Sequence, residues 1–310
     1  MRKELCDALV ARASDENMVF LTGDLGFMAL EPLREAMGSR FINAGVAEQN
    51  MVGVAAALAA QGFEVWVYSI APFCYARPFE QIRNDITFHH LPVNLIGNGG
   101  GYGYGVMGPT HHAIEDYGVL LTLPNLDVIV PVFEQDVAPA IARAAASPRA
   151  VYVRLGRDEA PAGYAPPGYA PIRQLTFGDG PAVVSIGPLA GLYIDAFEKL
   201  PAHRRPNLWA VAELPLAWET LPPELIAQIA STSALCVAEE HVRHGGLAAE
   251  LLVILAERGI PVRSFAHLHA LAHHYERYGS QTYLRKQSHL DVESMLAALE
   301  RMKAPAIGSP

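Results

Sequence analysis

At 310 residues the chain can hold two ordinary domains, and a hydrophobic share of 51% against 18% charged residues excludes a disordered protein. The formal net charge of -9, with no long run of Lys or Arg, argues against a nucleic-acid or anionic-membrane surface. No apolar run reaches membrane-spanning length, and Met1-Arg2-Lys3-Glu4-Leu5-Cys6 lacks the apolar core of a signal peptide.

A helical pattern of Leu5, Ala8, Leu9 and Ala13 occupies residues 4–14. Residues 18–22 read as a strand ending in Gly23-Asp24-Leu25-Gly26, and residues 32–37 as a short helix. An extended segment, 40–44, leads through Gly45-Val46-Ala47-Glu48-Gln49-Asn50-Met51 into a small-residue helix over 52–60. Strand 63–69, a helix over about 73–88 and strand 93–97 come next, then the glycine-rich stretch 98–105. A helix at 113–121, a strand at 126–130, a helix at 134–146 and a strand at 151–155 complete the unit. Strands that are continuous apolar runs alternating with helices predict a parallel sheet covered on both faces.

Pro161, Gly163, Pro166, Pro167, Gly168 and Pro171 mark 161–173 as an extended linker between a first domain, 1–160, and a second, 174–310. The second is expected to be a smaller α/β unit, with strands at 182–186, 208–212, 234–238 and 262–265. Its helices fall near 192–200, 223–230, 247–258 and 292–302. Cys6, Cys74 and Cys236 are scattered and odd in number, which suits reduced thiols in a cytoplasmic protein. The high apolar content leaves room for a buried subunit interface.

In α/β domains ligands bind beyond the carboxyl ends of the strands, here the loops 23–26, 69–73, 98–105 and 154–157, with Glu48 on the same rim. Desolvating a carboxyl near the start of an apolar helix favours its protonated form, which can donate a hydrogen bond. A solvated acid in a first helical turn is the plainer alternative.

Several of these loops together resemble one family. Gly45-Val46-Ala47-Glu48-Gln49-Asn50-Met51 resembles the pyrimidine-domain motif of transketolases and 1-deoxyxylulose-5-phosphate synthases. Arg77-Pro78-Phe79-Glu80-Gln81-Ile82-Arg83-Asn84-Asp85, Gly108-Pro109-Thr110-His111, Leu123-Pro124-Asn125 and Tyr152-Val153-Arg154-Leu155-Gly156-Arg157 follow in the family's order. Beyond about residue 160 the likeness is weaker, through Val237-Ala238-Glu239-Glu240-His241 and Gly245-Gly246-Leu247. The resemblance implies thiamine diphosphate as cofactor, with Glu48 hydrogen-bonded to N1′ of its aminopyrimidine, so that the exocyclic nitrogen can take the thiazolium C2 proton. It implies Phe73 stacked on the pyrimidine, Ile70 at a position often aromatic in the family, and Asp24 near the cofactor. A turn-capping role is the alternative for Asp24. His111 is implied to face the substrate, and Arg157 and Arg2 to bind a sugar-phosphate tail, for which a guanidinium fork suits.

Departures from the family bear on substrate. Met107 replaces an acidic residue that contacts the donor sugar, and Gly99 and Met28 stand where transketolases have a histidine and a serine. The diphosphate- and Mg²⁺-binding half of a transketolase is missing. Gly178-Asp179-Gly180 with Asn207 mimics its metal motif, but it follows the linker and precedes a strand, so it reads as a turn and no metal ligand is assigned to this chain. The implied assembly is an α2β2 heterotetramer with a separate amino-terminal subunit that supplies Mg²⁺ and diphosphate binding.

The expected activity is transfer of a two-carbon ketol or acyl unit from a ketose or 2-oxo acid donor to an aldehyde acceptor, in a specialised sugar or secondary-metabolite pathway. The β subunit of a 2-oxo acid dehydrogenase and a non-catalytic subunit are the alternatives. His267, His269, His273 and His274 are expected to be a surface cluster rather than a metal site, although His269 and His273 have the spacing of one helix face. The stretch 97–105 lacks the frame of a dinucleotide fingerprint.

Overall fold

The computed structural model describes residues 1–303 apart from Phe27, His274, Tyr275 and Arg277. Two sheets organise the chain. The first contains β1 (Met18–Thr22), β2 (Phe41–Asn43), β3 (Glu64–Ile70), β4 (Val93–Asn98), β5 (Leu126–Ile129) and β6 (Ala150–Leu155). The second contains β7 (Ile172–Gln174), β8 (Ala182–Ile186), β9 (Asn207–Val211), β11 (Ala234–Glu239) and β12 (Ser264–His269). The short strand β10 (Glu213–Leu214) belongs to the first sheet, although it follows β9 in the chain.

The order in the first sheet is β10-β5-β6-β4-β3-β1-β2, parallel throughout except for β10, which pairs antiparallel with β5. The order in the second is β12-β11-β8-β9-β7, with β7 antiparallel to β9. The protein is thus α/β, with two mostly parallel sheets flanked by helices. Consecutive residues of β3 face opposite cores, as a pleated strand requires. Val65 and Val67 pack with the helix Glu48–Ala60, and Trp66 and Tyr68 pack on the other face with Leu5, Leu9 and Ile141. The core on the Val67 side continues into the second sheet through Val184, Val237 and Leu251, so the two sheets share buried apolar surface.

The helices that position the rim are α1 (Arg2–Val10), α2 (Glu31–Met37), α3 (Glu48–Ala60) and α4 (Ala71–Tyr75). Several expectations are corrected. Helix α3 starts four residues earlier than the small-residue pattern suggests, which makes Glu48 its first residue. The helix expected over 73–88 is broken: α4 ends at Tyr75 and a short helical pair, Phe79–Gln81 and Ile82–Thr87, resumes beyond Pro78. Proline lacks the N–H that would continue the ladder. The linker expected to reach 173 already contains β7, paired through Ile172 and Arg173 with Val211 and Ala210. His269 ends strand β12 and does not share a helix face with His273, and His274 lies outside the described residues.

Asn207 also has a local role. Its side-chain Nδ2 donates to the Gly180 carbonyl at 3.0 Å and its Oδ1 accepts from the Gly178 amide at 3.2 Å. The amide is used in fastening the turn that opens β8. Among the described residues no helix is long and apolar enough to cross a membrane.

Candidate active site

The carboxyl rim of the first sheet carries the site. Strand β2 ends at Asn43, whose Oδ1 accepts from the Gly45 amide at 2.9 Å, and Gly45 turns the chain with φ of 70°. That turn delivers Glu48 to the head of α3, whose Ala55, Ala56 and Ala59 let the helix lie close against the sheet. Glu48 is only 6% exposed.

Its partner is Arg77. The Arg77 Nη1 donates to Glu48 Oε1 at 2.7 Å, and the same guanidinium lies over the Phe73 ring, 3.7 Å from the centroid. Phe73 is on α4, directly after β3, and the break at Pro78 leaves Arg77 free to fold back over it. The His111 ring meets Phe73 edge-on at 5.1 Å and 66°. Its Nδ1 is 2.9 Å from Thr110 Oγ1. Desolvation, and then the Arg77 charge, hold the His111 pKa below the usual imidazole value, so the ring favours its neutral form. Three residues singled out from the sequence, Glu48, Phe73 and His111, are therefore brought together, with Arg77 at their centre.

Beside them opens a cleft of about 440 Å³ lined by Arg2, Arg157, Asn98, Gly99, Tyr104 and Gln281, among others. Arg2 comes from α1 and Arg157 from the loop after β6, so residues 155 positions apart in the chain share one wall. Both are exposed and neither has an ion-pair partner among the described residues. Asn98 Nδ2 donates to Tyr104 Oη at 2.6 Å, and the Tyr104 ring lies 6.3 Å from that of His111.

The remaining candidates sit on the margins. Asp24 is exposed and accepts from Asn43 Nδ2 at 3.0 Å, while its amide donates to the Gly45 carbonyl, so it braces the turn before Glu48. Ile70 ends β3, paired in register with Asn98 of β4. Met107 is 57% exposed in the turn 105–107. Met28 has φ of 60° and is exposed on the loop after β1.

A buried polar seam fixes this rim from below. Arg154 Nε donates to Asp116 Oδ2 at 2.8 Å, and its Nη2 reaches the carbonyls of Ala113 and Glu240. Glu240, beyond β11, accepts from the Tyr102 amide at 2.9 Å and from Arg285, whose Nη1 also donates to Glu159 at 2.7 Å. Gly101 has φ of +63°, and a Cβ there would lie 2.6 Å from the Glu240 carboxyl carbon. The glycine-rich loop is thus shaped to admit a carboxylate from the second unit. Tyr117 donates to the buried Glu239 at 2.7 Å, tying the family-like segment 237–241 to the first unit as well. In the sequence Arg77 and Glu240 are only members of family-like blocks and Tyr104 only part of the glycine-rich stretch 98–105; what each of them contacts comes from the fold.

Rim position, a buried carboxyl at a helix head and a neighbouring aromatic suit a planar, hydrogen-bonding ligand. The transketolase pyrimidine binding domain matches residues 3–162, and the chain belongs to that family. An apulose-4-phosphate transketolase subunit from Phocaeicola vulgatus is 30% identical over 84% of this chain and 85% of its own length. The 1-deoxy-D-xylulose-5-phosphate synthase of Nitratidesulfovibrio vulgaris is 29% identical over 89% of this chain, which spans only 43% of that protein. A solved split-gene transketolase, described as an inactive beta4 tetramer, superposes with a TM-score of 0.81 at 28% identity over 97% of both chains.

Proposed function

We propose that this chain is the pyrimidine-binding subunit of a split transketolase-type transferase, active with a separate subunit that holds the diphosphate and Mg²⁺ of thiamine diphosphate. The arrangement of Arg77 on Glu48 and Phe73 carries the reading. A flat cation stacks on Phe73 and hydrogen-bonds Glu48; an aminopyrimidine would stack on the same ring with its N1′ hydrogen-bonded to the same carboxyl. The pocket residues therefore fit the group, and its arrival would displace the guanidinium.

Bound there, thiamine diphosphate would supply a nucleophilic carbon for moving a two-carbon ketol or acyl unit from a ketose or 2-oxo acid donor to an aldehyde acceptor. Glu48 would hold a proton against pyrimidine N1′, and Phe73 would fix the ring plane. Neutral His111, beside Phe73, would bind a substrate oxygen or move a proton at it. Arg2 and Arg157 would anchor an anionic tail. Exposed Val46, Val106 and Met107 offer apolar surface around the rim for the partner subunit. An α2β2 assembly would complete two such sites.

The near-complete coverage of a relative named as a transketolase subunit supports this reading over a 2-oxo acid dehydrogenase subunit. The clustering of Glu48, Phe73 and His111 supports it over a non-catalytic role. The test is ketose-donor turnover by the chain reconstituted with its partner. Glu48→Gln should lower it by about 100-fold or more; undiminished activity would refute the assignment.

A further inference from the structure

We propose that Tyr104 is a specificity-determining residue that donates a hydrogen bond to a hydroxyl of a phosphorylated polyhydroxy substrate, midway between its carbonyl and phosphate ends. This rests on the functional reading above and deepens it. The Tyr104 hydroxyl already accepts from Asn98 Nδ2 at 2.6 Å, and Asn98 is a buried residue at the end of β4. Its oxygen is thereby fixed, and among the described residues nothing accepts its proton. A hydroxyl with one contact satisfied and its proton free, at the wall of a cleft, is a donor poised for a ligand oxygen.

The ring's position has a cause in the backbone. Gly99 has φ of +76°, and a Cβ there would lie 2.2 Å from the Tyr104 ring. The phenol occupies the space that any side chain at 99 would take. Position 99 and Tyr104 are therefore a coupled pair: the bare backbone seats the ring, and the ring presents the hydroxyl. Tyr104 also stands between the two ends of the site. Its ring is 6.3 Å from His111, and it shares the cleft with Arg2 and Arg157. A substrate with its carbonyl at His111 and its phosphate at the arginines would pass its intervening hydroxyls across Tyr104. An unphosphorylated or deoxygenated analogue would forfeit one of these contacts.

The experiment is calorimetric titration of ribose 5-phosphate, and separately of inorganic phosphate, into the chain reconstituted with its partner and saturated with thiamine diphosphate and Mg²⁺. Tyr104→Phe keeps the ring and removes the hydroxyl. It should weaken ribose 5-phosphate by about 5- to 10-fold while leaving inorganic phosphate within about twofold. Gly99→Ala, checked for folding by circular dichroism, should reproduce that selective loss by displacing the ring. Wild-type affinity for ribose 5-phosphate in Tyr104→Phe would overturn the proposal, as would equal weakening of both ligands. Failure of the wild-type complex to bind ribose 5-phosphate, with the cofactor bound, would also overturn it. Failure to bind thiamine diphosphate at all would instead overturn the underlying functional reading.

Discussion

Arg77 sits on Phe73 and on Glu48 at once, its guanidinium 3.7 Å from the ring centroid and its Nη1 2.7 Å from the carboxylate oxygen. Glu48 is buried while Arg77 is 43% exposed, so the pair reaches from the interior to the mouth of the site. Losing the guanidinium strands a buried acceptor, whereas the exposed end of the pair is screened by water. Arg77→Ala should therefore destabilise the isolated chain by about 1 kcal/mol, read as a shift in urea midpoint at unchanged m value. An unchanged midpoint would show that the contact contributes nothing to the cofactor-free protein.

His111 tests the same contact by titration. Its folded pKa is depressed, first by desolvation and second by Arg77. Below the ordinary value of about 6.5 the unfolded chain binds the proton more readily. The contribution of His111 to stability is therefore complete above that value and is lost as pH falls through the depressed one. Nuclear magnetic resonance of the imidazole should show a midpoint below 6.5 that rises in Arg77→Ala without reaching the ordinary value, since burial persists. A midpoint that does not move would separate His111 from Arg77.

The seam beneath the glycine loop should be far less tolerant. Arg154 and Asp116 are both almost fully buried, and Arg154 also binds two carbonyls. Removing one member of a buried, hydrogen-bonded pair leaves an uncompensated charge. Arg154→Met should cost about 3 kcal/mol or more in chemical unfolding, and adding Asp116→Asn should cost much less than a second independent loss. Full additivity would mean that the two residues do not act as a unit.

Much of the fold is legible in the sequence because the strands that matter are buried on both faces. Residues 18–22, 93–97, 151–155 and 182–186 are mostly apolar, each carrying one polar or charged residue (Thr22, Asn94, Arg154, Ser185), and the fully buried strands β1, β4, β6 and β8 fall on them. What escapes is stabilised by distant partners. Strand β10 has two residues and no periodicity, yet it crosses back to pair with β5. The helix Gln281–Gln287 has a polar sequence because its buried Arg285 is neutralised by Glu240 and Glu159 rather than packed in an apolar core. Pro78 splits a helix that the apolar pattern alone would continue.

The site divides in the same way. Glu48 and His111 can be found from short motifs at their own positions, and Phe73 from its place just before the family-like block 77–85. Arg77 stands in the sequence only as the head of a family-like block, and its pairing with a residue 29 positions away comes from the fold. Burial of Glu48 could be foreseen from the small-residue helix; the cation that meets it could not.

On the proposed function, this chain supplies one half of a thiamine diphosphate site. Isothermal calorimetry with thiamine diphosphate and Mg²⁺, on the chain alone and then mixed with its diphosphate-binding subunit, tests it most directly. Binding is expected only in the mixture, and Glu48→Gln should abolish or strongly weaken it there. Tight binding by this chain alone, or an affinity in the mixture indifferent to Glu48, would contradict it.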